Sequence, residues 1–138
     1  MRNPDKYIRK AITAAWKVSR PGIPIFEGAV PSSEDTPDKF VLINSLDKYR
    51  TAESKAHYEW RGSVQVMCVS IKPKGFIVSS EVDDMEEVLI PLMEKIEVDG
   101  FRVNYCKFER SVYSNIEAPA ESVTRKVTTF EMWLNKAE

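Results

Sequence analysis

The side chains able to carry catalysis or hold a metal are few in this chain, and they are scattered. Its one histidine, His57, falls on the polar side of a predicted strand, where a surface histidine is the simple reading. A nucleophilic site would need a serine or cysteine beside it and a carboxylate to orient the ring. No G-x-S-x-G, glycine-rich phosphate loop or H-E-x-x-H occurs. Four carboxylates, Asp83, Asp84, Glu86 and Glu87, are close enough in sequence to make an acid/base pair or a magnesium site. They also sit in the first turns of a predicted helix, where negative charge opposes the positive end of the helix dipole, and that is the preferred account.

The two cysteines, Cys68 and Cys106, stand 38 residues apart with neither a C-x-x-C nor a histidine partner, against a zinc site or a disulfide framework. They read as buried, reduced thiols in a chain made in a cytoplasm. Lys72 and Lys74 flank a proline and a glycine, and Lys48, Arg50 and Lys55 lie in a charged stretch. A phosphate-facing patch is conceivable there, but solvated loop charge is the simpler account. Tyr58 and Trp60 could stack bases, yet their alternation on a strand points to a core. No cofactor or metal is expected.

The bulk numbers narrow the field further. Twenty Lys and Arg against 21 Asp and Glu give a net charge of −1, which offers no field to condense onto nucleic acid. An apolar fraction of 43 % with 30 % charged residues in 138 residues fits one ordinary globular domain able to bury a core. Charges thread the N-terminal MRNPDKYIRKAITAAWKV, which reads as helix and not as a signal peptide. No apolar run is long enough to span a bilayer, so no membrane partner is expected.

The elements that would position these groups are legible as patterns. Asn3-Pro4 followed by Ile8, Ala11, Ile12, Ala15 and Trp16 predicts a helix over 4–19, stopped by Arg20-Pro21-Gly22. Residues 23–26 predict a short edge strand. Pro31 and Pro37 around Ser32, Ser33, Glu34 and Asp35 predict a loop, and Phe40-Val41-Leu42-Ile43 a short buried strand. Residues 47–56 are charged and aperiodic and read as a mobile connection.

From His57 to Ile71 the period is two. Tyr58, Trp60, Val64, Val66 and Cys68 form a core face, and Glu59, Arg61, Ser63 and Gln65 face solvent. Met67, Val69 and Ile71 imply that both faces are covered near the strand's end. A second helix is expected over 81–97, kinked or broken at Pro91, then a turn at Asp99-Gly100. Residues 103–112 and 123–134 predict a closing hairpin. The expected fold is a single α+β domain of order α-β-β-β-α-β-β, with an antiparallel or mixed sheet and both helices on one face.

This succession of segments resembles the tail terminator, or tail-completion, proteins of long-tailed bacteriophages, and related head-tail joining proteins share the layout. The similar features are Ala11-Ile12 at the centre of the first helix, Ile25-Phe26, Pro31, the run Pro37-Asp38-Lys39-Phe40-Val41-Leu42-Ile43, the strand through Ser63-Val64-Gln65-Val66, and a helix starting near Val82. They span residues 6–97, and the hairpin agrees in type. The resemblance implies a non-enzymatic subunit of a virion ring, commonly sixfold, at the head-proximal end of a tail. Its partners would be copies of itself, the tail tube protein and the head connector or neck proteins, with DNA only passing through the lumen.

The two charged loops, 47–56 and 72–80, are the expected contacts, through Lys48, Tyr49, Arg50, Glu53, Lys55, Lys72 and Lys74. The alternative is a small ligand-binding or enzymatic domain with a pocket between sheet and helices, its nearest polar groups being Cys68 and Tyr105.

Overall fold

A computed structural model describes residues 4–28, 37–50, 59–73, 79–117 and 119–136. The first helix, α1 (Pro4–Ser19), opens on a proline whose missing N–H costs nothing at that position. It buries Ile8, Ile12 and Trp16, spaced by four on a single stripe. The backbone N–H of Arg20 donates to Trp16 O at 2.7 Å as the helix ends, and the Trp16 indole N–H donates to Ile23 O at 2.9 Å. That second bond satisfies the only polar atom of a side chain that is otherwise wholly buried.

Five strands follow in one mixed sheet: β1 (Ile25–Glu27), β2 (Lys39–Arg50), β3 (Glu59–Pro73), β4 (Phe101–Glu117) and β5 (Glu121–Lys136). Their spatial order is β1-β2-β3-β5-β4. β1 lies parallel to β2 and every other pairing is antiparallel. The second helix, α2 (Ser79–Glu94), crosses from β3 to β4. Gly100, at φ 82°, makes the turn into β4, a conformation that costs glycine little.

Both helices pack on one face. Ile8, Ile12 and Trp16 of α1 and Val82, Met85, Leu89 and Met93 of α2 meet Val64, Val66 and Cys68 of β3 and Phe130, Met132 and Leu134 of β5 in a single core. A smaller cluster, Phe40, Met67 and Val69, is buried on the other side of the sheet. The expected α+β class and element order therefore hold, as does the two-sided burial at the end of β3.

Three expectations need revision in detail. Of the kink or break expected at Pro91 the break does not occur, and α2 is one helix that continues through it for its last turn. Pro91 is exposed, so the carbonyl it leaves without a donor can be hydrated. β2 runs on through Asp47, Lys48, Tyr49 and Arg50, which pair with Ser63, Gly62, Arg61 and Trp60, so these residues are strand and not connection. The hairpin strands reach 117 and 121, well into the segment expected to separate them.

Candidate assembly surface

The carboxylates of α2 do not cluster on one another; three of them reach down to the sheet. Glu81 meets Lys72 at 2.8 Å and accepts a hydrogen bond from Ser70. Asp83 lies 3.0 Å from Lys126 Nζ and accepts a bond from the Tyr113 hydroxyl. Glu86 takes Lys126 on one oxygen at 3.0 Å and the Thr128 hydroxyl on the other at 2.7 Å. Asp84 and Glu87 are exposed. The first half of α2 is thus docked by charge in addition to the apolar packing that runs along the whole helix, a role for these carboxylates that the dipole account did not anticipate. The signal was present in β5, where Ser122, Thr124, Lys126 and Thr128 alternate on the same face as Phe130, Met132 and Leu134.

The electrostatics follow from these contacts. Hydrogen bonds from Tyr113 and Lys126 hold the Asp83 carboxyl below its ordinary range. Burial would raise Glu81, but the bonds from Lys72 and Ser70 outweigh it and leave the group lowered. Burial likewise opposes the charge on Lys126, and its bonds to Glu86, Asp83 and Tyr113 win, so its pKa is raised. Desolvation pushes Cys68 and Cys106 up to about 12, with smaller contributions from Glu86 and Glu94 respectively. Both thiols are free and buried. Among the described residues no group of three or more His, Cys, Asp or Glu is placed to hold a metal ion, and no helix is long and apolar enough to cross a membrane.

A crevice lined by Ile8, Trp60, Gly62, Met132 and Leu134, where α1 meets the sheet, holds only about 20 Å³, room for a single water. Of the two polar groups suggested for a ligand pocket, Cys68 is sealed in the core and Tyr105 lies on the face away from the helices.

The predicted contact residues divide. Glu53, Lys55, Lys74 and the histidine His57 lie outside the described residues. Lys48, Tyr49 and Arg50 belong to β2 and not to a loop, because that strand pairs with β3 along its length. Lys72 belongs to β3, and its ion pair with Glu81 ties it to α2, so it is not a free loop charge.

The sheet face opposite the helices carries the more informative pattern. Residues paired across adjacent strands share a face, so the register lines them up in rows. One row is apolar from edge to edge: Phe26, Leu42, Met67, Val127 and Val112, on β1, β2, β3, β5 and β4. Two rows along, the residues are Asp47, Ser63, Glu131 and Lys107, with a carboxylate at the β2 end and an ammonium at the β4 end. Beyond them the Arg61 guanidinium lies 4.4 Å over the Trp133 ring, which meets Tyr105 edge-on at 5.7 Å. Lys107 Nζ sits 4.3 Å over Tyr105, whose hydroxyl donates to Glu131 at 3.1 Å. This face is apolar at one end of the strands, where Phe40, Met67 and Val69 are buried, and polar and aromatic at the other.

Among the described residues, neither margin of the sheet has a further strand outside it. β1 pairs only with Val41–Ile43, so β2 has no described strand outside it from residue 44 to 50. β4 has none outside it along its 17 residues. Of the five exposed large apolar side chains among the described residues, four lie on β4: Phe108, Val112, Tyr113 and Ile116. An edge of this length with apolar groups turned to water is the usual mark of a surface that another chain covers.

No family model matches the chain, and no curated protein matches it. A solved chain 15 % identical, aligned over 92 % of this chain and 91 % of its own, superposes with a TM-score of 0.48. Another, from a structure described as the virion of a native gene transfer agent (GTA) particle, superposes with a TM-score of 0.75 over 98 % of this chain and 99 % of its own, at 9 % identity. From end to end, then, this chain has the fold of a component chain of a gene transfer agent virion.

Proposed function

We propose that this chain is a structural virion protein that closes into a ring, six subunits being the expected number, at the head-proximal end of a tail. There it ends growth of the tube and joins tail to head. The observation that carries the reading is the whole-chain superposition on a virion component. The open margins of the sheet support it, because a ring needs two different complementary patches on each subunit.

In this reading the partners are further copies of the chain, the tail tube protein and the head connector or neck proteins. DNA only passes through the lumen, and a net charge of −1 suits a channel that does not grip it. The protein resides in the virion after synthesis and assembly in the host cytoplasm. Native mass spectrometry over rising concentration tests the proposal. A discrete closed oligomer, six chains in the expected case, supports it; a monomer at every concentration, together with thermal stabilisation by a small metabolite, refutes it.

A further inference from the structure

Resting on the ring reading, we infer that neighbouring subunits join by sheet continuation, the β4 margin of one chain lying against the β1/β2 margin of the next. Each margin presents backbone hydrogen-bonding groups to which the sheet itself assigns no partner strand. Their directions are compatible. β4 runs antiparallel to β5, which runs parallel to β2 and β1, so β4 set beside a neighbour's β1 in a continued sheet makes an antiparallel pair.

The rows of the open face identify the occupant as a second copy. The apolar row ends on Val112 at one margin and Phe26 at the other, so translating the sheet by its own width brings apolar against apolar. The charged row ends on Lys107 and Asp47, both exposed, so the same translation brings ammonium to carboxylate. The two matches hold in one register. Val112 and Lys107 are separated by a single row, that of Arg110, and Leu42 and Asp47 by the row of Ser45. β1 is too short to reach the charged row, which leaves a gap of one strand, about 4.8 Å, that the long lysine side chain spans. The contact uses different surfaces on its two sides, and such a contact closes by rotation and not by two-fold pairing.

The test is a double variant, Phe26→Cys with Val112→Cys, oxidised and run on a non-reducing gel. The inference predicts a ladder of dimer, trimer and higher species ending at the ring, with neither single variant forming more than a trace of dimer. The native Cys68 and Cys106 are buried and do not contribute. A dimer from Val112→Cys alone would show β4 pairing with itself about a two-fold axis and would overturn the inference. Charge exchange gives a second readout free of core disturbance: Lys107→Glu or Asp47→Lys alone should weaken assembly at least tenfold, and the two together should restore it. Normal rings from both single variants, with no ladder from the cysteine pair, would overturn this contact and leave the ring reading standing. A wild-type monomer at all concentrations would remove both.

Discussion

Lys126 Nζ lies 3.0 Å from a carboxylate oxygen of Glu86, and both side chains are 11 % exposed. A charged pair so far from water is a weak source of net stability but a large liability when half of it is removed. Lys126→Met should therefore destabilise the fold by about 3 kcal/mol, because Glu86 stays behind as an uncompensated buried charge. Lys126→Met with Glu86→Leu should recover most of that loss. Urea midpoints for the two variants check the pair of outcomes, and equal losses would show that the ion pair itself stabilises the protein.

The same seam sets the response to acid. Glu81 and Asp83 are held below their ordinary values of 4.5 and 3.8, so on acidification the unfolded chain takes up protons before the folded one does. Their contribution is complete above about pH 5 and is lost as pH falls through the folded values. Lys126 acts with the opposite sign. Its raised pKa means a contribution complete below 10.5 and lost only as pH climbs beyond that. Denaturant midpoints across pH 3 to 6 should fall toward acid, and Glu81→Gln with Asp83→Asn should flatten the slope.

The thiols should be silent in the native protein. With both pushed up to about 12 by burial, the thiolate fraction at pH 8 is about one in ten thousand, and access is closed besides. Ellman's reagent should label neither Cys68 nor Cys106 in buffer and both in strong denaturant. Rapid labelling of either in buffer would mean that the core opens on the time scale of the assay.

Trp16 holds α1 against the turn that follows it, through packing and through its bond to Ile23 O. Trp16→Phe keeps most of the packing and loses the bond, for a cost of about 1–2 kcal/mol. Trp16→Ala adds a cavity and should cost about 3–5 kcal/mol. Two tryptophans, Trp60 and Trp133, remain to report the transitions by fluorescence.

How far the fold was legible in the sequence depended on the regularity of each element. α1 was recovered over 4–19 because its stripe is uninterrupted and its stop is a proline and a glycine. β3 was recovered to within two residues because it alternates without a slip from Trp60 to Cys68. β2 was cut short where its register shifts, between Ile43 and Ser45; β4 also shifts, between Val103 and Tyr105 and again between Phe108 and Arg110, but inside the span expected for it. Each slip reverses which residues face the core, so a period-two pattern dissolves although the strand continues.

The proposed assembly surface was hidden for another reason. Its rows join residues on five different strands, and only pairing tells that Phe26 and Val112 stand in one line, or Asp47 and Lys107 in another. The contacts expected from charged loops lie elsewhere, and four of those residues, Lys48, Tyr49, Arg50 and Lys72, are strand.

Those slips have a consequence for the shape that many copies can take. A flat, regular sheet with open margins stacks into fibrils without limit, since every added chain presents the same straight template. An extra residue at Asn44, Asn104 and Glu109 bends and over-twists the two strands that carry the margins. In the proposed ring, growth along a curved margin would return on itself after a few subunits, so the same slips would also guard the protein against aggregation.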